Sequence, residues 1–129
     1  LLVYDIDPDT LPQNTLAPVD SVVNPLVTGP GAGLPDPVNG TRYLIVDNLG
    51  DEGTVNPSWG TIVANANDII EYDSTDNEWF VSFDCLAATS VEYVTNLNTN
   101  IQYRYVNSEG TWMKSYEGWY DQGDYSIVI

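Results

Sequence analysis

Ile70-Glu71-Tyr72, a polar turn Asp73-Ser74-Thr75-Asp76-Asn77, and then Glu78-Trp79-Phe80-Val81-Ser82-Phe83 read as one β-hairpin. Two runs of aromatic and β-branched residues flank a cluster of turn formers, which is the pattern of paired strands. The chain repeats it as Ile101-Gln102-Tyr103, a longer turn through Asn107-Ser108-Glu109-Gly110, and Thr111-Trp112-Met113-Lys114-Ser115-Tyr116. Both copies read Ile-x-Tyr, turn, Trp-x-x-Ser-aromatic. Internal similarity of this kind marks one supersecondary unit built twice, with hairpins expected at about 68–84 and 99–117. Strand alternation places Trp79, Val81 and Phe83 on one face of the first hairpin. In the second it groups Ile101, Tyr103 and Tyr105, leaving Gln102 and Arg104 outward. Large aromatics at matching places are expected to pack, so Trp79 and Trp112, with Tyr72 and Tyr103, are the structural core candidates.

Outward from the hairpins the signals stay short. Arg42-Tyr43-Leu44-Ile45-Val46-Asp47 follows the turn dipeptide Asn39-Gly40. Thr61–Ala64, Val91–Val94 and Tyr125–Ile129 add further apolar runs between turn clusters. No apolar period of helical spacing persists. The class expected is all-β, a small antiparallel sandwich or barrel. Residues 1–40 differ, holding seven of the eight prolines with Gly29, Gly31 and Gly33 between the later ones. Proline lacks the ladder N–H and fixes φ. Residues 1–33 are therefore expected to form an extended proline- and glycine-rich arm or linker lying on another chain or domain, and 34–129 the β domain. A start at Leu1 is what a piece or processed product of a longer protein would show.

Hydrophobic residues make up 43 % of the chain, enough for a core despite a formal net charge of −16 from 19 acidic and 3 basic side chains. Arg42, Arg104 and Lys114 are the only cations, so most carboxylates lack a partner within the chain. Such a surface repels nucleic acid and anionic membranes. There is no His, which removes most triads, phospho-relays and transition-metal sites, and neither a catalytic nor a cofactor-binding signature is present. Asp5-Ile6-Asp7-Pro8-Asp9 has the alternating carboxylates of a calcium loop, but Thr10 and Leu16 stand where the EF-hand needs Gly and Glu. A looser Ca²⁺ site is the residual reading beside a solvated acidic turn. Asp47, Asp51 and Glu52 share one loop and Asp73, Asp76 and Glu78 another, as acids must in so acidic a chain. Cys85, the single cysteine, reads as a buried small hydrophobe. Trp119 and Tyr120, in Tyr116-Glu117-Gly118-Trp119-Tyr120-Asp121, are the interface candidates.

The stretch Leu34–Asp47, the unit Asp68–Asp84 and the ending Trp112–Ile129 resemble modules of virion proteins in tailed bacteriophages, the ending being similar to C-termini of structural proteins in T-even-like contractile-tailed phages. The resemblance implies a non-enzymatic building block of head, neck, tail or baseplate, located in the virion, whose partners are other virion proteins or further copies of itself. It carries over no catalytic or ligand residue. A carbohydrate-binding adhesin or tail-fibre receptor-binding module that takes a surface glycan is the alternative, and a polysaccharide-cleaving enzyme a third.

With so few cations the carboxylates repel one another, and moderate salt should raise the melting temperature by screening them. A melting temperature that falls with added NaCl would contradict this, and a much larger rise in Ca²⁺ at equal ionic strength would point to a cation site.

Overall fold

The computed structural model describes residues 13–50 and 57–115, and among them the chain is all-β apart from the single 3₁₀ turns Pro57–Trp59 and Cys85–Ala87. The strands are β1 (Ser21–Val23), β2 (Gly29–Pro30), β3 (Gly33–Leu34), β4 (Arg42–Ile45), β5 (Ile69–Asp73), β6 (Glu78–Phe83), β7 (Glu92–Asn96), β8 (Ile101–Val106) and β9 (Thr111–Lys114). A four-stranded sheet runs β1-β4-β5-β6 and a three-stranded sheet β7-β8-β9. All pairs within them are antiparallel except β1 with β4. β2 and β3 close a tight two-stranded coil.

Strand β4 explains the layering. Its Arg42-Tyr43-Leu44-Ile45 is buried throughout, as expected of a strand covered on both faces. Tyr43 and Ile45 join Val23, Ile70, Trp79, Leu49, Ala64 and Trp59 in one cluster beneath loop segments. Leu44 turns the other way, with Ile69 and Phe83, to meet Val94 and Tyr105 of the three-stranded sheet. The four-stranded sheet is therefore the middle layer of a small sandwich.

Both expected hairpins form, β5–β6 and β8–β9, and a third, β7–β8, joins the latter. All three turn in four residues and place the last in the left-handed region: Asn77 (φ 54°), Asn100 (φ 60°) and Gly110 (φ 68°). Asn and Gly are the residues that tolerate that conformation, so these turns are written in local chemistry.

Register departs from simple alternation at two points. Ile69 pairs with Phe83 but Ile70 with Val81, making Ser82 an extra residue on β6. One inserted residue reverses the faces beyond it. Phe83 thus leaves the face of Trp79 and Val81 and enters the sheet-to-sheet core, where it meets Tyr105 (5.7 Å) and Trp112 (5.5 Å). In the second hairpin the residue opposite Trp112 is Tyr105, whereas Tyr103 stands opposite Lys114. The additional residues there lengthen the strand rather than the turn. Gln102, expected outward, is buried, donating to Asn14 Oδ1 (3.1 Å) and accepting from Ser115 Oγ (2.8 Å). Thr61–Ala64 is no strand and is held by paired Leu49–Ala64 main-chain bonds.

The division at residue 33 needs the largest correction. Over residues 13–33 the chain is extended, as its prolines require, yet it is built into the domain. Val19 bridges Asn96 at the free side of β7, and a few residues later β1 joins β4 in the other sheet. Val19, Val23 and Pro25 are buried. Prolines remove donors but leave every carbonyl, and the domain supplies donors to match. The Trp59 indole N–H bonds Pro25 O and Thr28 O, each at 3.1 Å. The Arg42 guanidinium bonds Ala17 O and Pro18 O, each at 3.2 Å, and its main-chain N–H bonds Asp20 Oδ2 at 2.9 Å. The remainder of the expected arm, residues 1–12, lies outside the described residues.

Limited proteolysis of the folded chain should leave the bonds between Val19 and Leu34 intact. Arg42→Ala should cost about 3–5 kcal/mol in urea unfolding, as for other broken buried pairs, and a cost near zero would show that the segment docks without it. Trp79→Ala should fall in the range of about 3–5 kcal/mol expected for a buried large aromatic, with Trp112→Ala costing less because its ring is half-buried.

Candidate interaction surface

The residues with chemical reach fall into three places: a carboxylate–thiol cluster, a groove between the sheets, and the outer edge of β6 with the hollows beside it.

The cluster comprises Asp68, Asp84 and Cys85, whose ligating atoms lie within 4.8 Å of one another. Asp68 is buried, and its two oxygens accept the Cys85 and Asn65 main-chain N–H groups, each at 2.9 Å. Asp84 caps the 3₁₀ turn by accepting from Leu86 N–H. Burial pushes the Cys85 thiol up from 9.0 to about 12, and Asp68 beside it pushes the same way. A thiol so held stays protonated at neutral pH and is a poor nucleophile or metal ligand. This group fastens the turn after β6 to the loop before β5.

The groove between the sheets, about 370 Å³, is bounded by Val22, Leu44 and Val46 on one side and Tyr103 and Trp112 on the other. Asn67 spans its floor. It adopts φ 79°, accepts the Trp112 indole N–H at 2.9 Å and donates to Gly110 O at 3.3 Å, so the second hairpin hangs on this residue.

The edge of β6 is different in kind. Among the described residues no strand lies on its outer side. Tyr72 of β5 gives its N–H to Thr41 O and takes the Gly40 N–H on its carbonyl, each at 2.9 Å, so both groups point toward β4. Trp79, which stands opposite Tyr72, must therefore turn its own N–H and C=O outward, and alternation gives Val81 the same orientation. Alongside runs a hollow of about 240 Å³ between Trp59–Ile62 and Asn77–Trp79. It continues into a second of about 260 Å³ bounded also by Tyr72 and three prolines. The floor is aromatic: Trp59 and Trp79 meet at 5.0 Å and Tyr72 and Trp79 at 5.2 Å, with the Tyr72 hydroxyl on Asn77 Oδ1 at 3.2 Å. Glu78 stands at the rim of the first hollow, with Asp73 opposite it on β5 and Asp76 exposed in the turn between them.

The core candidates are thereby placed. Trp79 is buried in the outer cluster with Tyr72 packed against it, while Trp112 and Tyr103 pack against the sheet-to-sheet cluster. The structure does not bring the two tryptophans together; they lie on opposite sides of the middle sheet. The interface candidates Trp119 and Tyr120, the acids Asp5, Asp7 and Asp9, and Asp51 and Glu52 lie outside the described residues. Sequence reasoning missed Trp59 as a core centre, Arg42 as the clamp on the proline-rich segment, and the β6 edge. Among the described residues no helix is long and apolar enough to cross a membrane. No protein-family model, curated protein or solved structure matches this chain.

Native Cys85 and Tyr105 hold their protons more tightly than the unfolded chain does, both chiefly through burial. The contribution of Cys85 to stability is complete below the ordinary thiol value of 9.0 and is lost as pH rises from there toward about 12, and that of Tyr105 is lost as pH rises above the ordinary 10.0. The melting temperature should decline across that window, less steeply in Cys85→Ala. A thiol reagent at pH 8 should modify Cys85 only at the rate of unfolding, and fast labelling of the native state would refute the burial argument.

Proposed function

We propose that this chain is a non-enzymatic structural component of a tailed-phage virion, in head, neck, tail or baseplate, and that it acts through protein–protein assembly. The observation that carries the assembly reading is the edge of β6, which no strand among the described residues covers, with a groove beside it. An unpaired strand edge is a ready template for pairing with another chain. The described tryptophans support the same reading, because their rings serve the two cores rather than standing as a row on the surface. The virion assignment rests on the resemblance of 34–47, 68–84 and 112–129. The acidic surface fits a part that must not adhere to packaged DNA.

One observation favours the second reading, a carbohydrate-binding adhesin. The hollows beside β6 have an aromatic floor with Asn77 and Glu78 at the rim, the mixture of apolar faces and few polar groups that ligand sites use. Polysaccharide cleavage needs two carboxylates across a cleft, and Glu78 is the carboxylate that the described walls of these hollows contribute.

The chain should sediment with intact phage particles in a density gradient of the lysate that produces it, and a glycan array should retain none of it. Failure to co-sediment would remove the virion reading. Glycan binding that disappears in Asn77→Gly, which keeps the left-handed turn and deletes the amide, would put the adhesin in its place.

A further inference from the structure

We propose that the outer edge of β6 receives an extended, basic segment of a partner protein, which adds as a further strand to the four-stranded sheet; this deepens the assembly reading and rests on it. The outward N–H and C=O groups of Trp79 and Val81 provide the hydrogen-bonding ladder, and strand addition draws its affinity from such main-chain bonds. Across Glu78–Val81 the edge carries one charged side chain, Glu78. It has no proline, no lysine and no bulge across Glu78–Val81, the devices by which sheet edges are normally closed to strangers.

Both faces of the edge offer places for the alternating side chains of an incoming strand. On one lies the hollow between Trp59–Ile62 and Asn77–Trp79. On the other stands Phe80, 44 % exposed and opposite Glu71. A large aromatic left open on a strand edge is the kind of anchor that dominates protein contacts.

Charge decides which strand. Asp73, Asp76 and Glu78 lie at one end of β6 and Asp84 at the other, and no Lys or Arg occurs between Arg42 and Arg104. The charge of Arg42 is already matched by Glu71 at 2.7 Å. A second copy of this chain would bring another formal charge of −16 and the same acidic edge, so self-pairing here is opposed. A segment with Lys or Arg at alternate positions meets carboxylates at both ends of the strand. The other sheet edges that carry no strand among the described residues suit this less well: β1 has three residues, and β9 ends in Lys114.

The test uses the folded chain and a capped octapeptide of alternating Lys and Val, with a Glu/Val peptide and a Lys/Pro peptide as controls. The Lys/Pro peptide, Lys-Pro-Pro-Lys-Lys-Pro-Pro-Lys, has the same charge but lacks every second ladder N–H in either register. Amide hydrogen exchange at Trp79 and Val81 should slow by about tenfold or more with Lys/Val peptide and stay unchanged with either control. Binding should weaken as NaCl rises. Glu78→Lys should weaken it by about tenfold. Val81→Pro, which removes an outward N–H without touching the β5 pairing, should abolish the protection. Equal binding of the Lys/Pro peptide, protection at β9 in place of β6, or unchanged affinity in both variants would overturn the proposal. So would a chito- or malto-hexaose that protects these amides where the Lys/Val peptide does not. Any of these results would leave the virion reading to its own gradient test, in which the particles alone decide.

Discussion

The guanidinium of Arg42 ties the proline-rich segment to three neighbouring strands at one point. Through Nη1 it holds Glu71 (2.7 Å) and Ser82 (2.6 Å) on the next two strands, and through Nε and Nη2 it holds the carbonyls of Pro18 and Ala17. Its main chain meanwhile exchanges bonds with Asp20. A buried cation needs several acceptors to offset its desolvation, and a proline-rich segment is a source of carbonyls whose own chain offers few donors. The two deficits cancel. Trp59 repeats the logic with one indole N–H and two carbonyls. Between Ala17 and Thr28 the chain is fixed by side-chain donors from the domain where strand pairing is short.

From that constraint the layering follows. With 13–19 running beside β7 and β1 seated beside β4, a single segment crosses from one sheet to the other and ties them. The middle sheet then has apolar residues on both faces, and the aromatics divide between them. Tyr43, Trp59, Tyr72 and Trp79 fill the outer side, and Phe83, Tyr105 and Trp112 the sheet-to-sheet side. The bulge at Ser82 makes the division possible, because without it Phe83 would face the wrong layer. It also sets Ser82 within reach of Arg42.

Because cations are so scarce, their placement has consequences beyond the core. Arg42 is buried and Arg104 half-buried, its Nη2 against Met113 Sδ at 3.3 Å. Among the described residues Arg42 is the one cation in an ion pair, and Lys114, opposite Tyr103, is half-buried like Arg104. The surface is accordingly close to single-signed, which favours solubility and disfavours self-association. An exposed strand edge is a hazard in most proteins, and an acidic one selects by charge what pairs with it.

Reading the residues in order yields the two hairpins, the places of their turns and the all-β class, because these depend on alternation and on Asn or Gly at left-handed positions. Trp79 was legible as core for the same reason, since it occupies a repeated place on a patterned strand. The open edge could not be read this way. Which side of β6 has no partner strand among the described residues is a matter of strand order, and strand order is set by contacts far apart in sequence. Nor could the role of the proline-rich segment be read, since local chemistry counts the donors that prolines lose. The donors that answer its carbonyls sit on Arg42 and Trp59, tens of residues away. Only the folded chain brings them to the same place, and only there does a stretch that looks like an arm become part of the core.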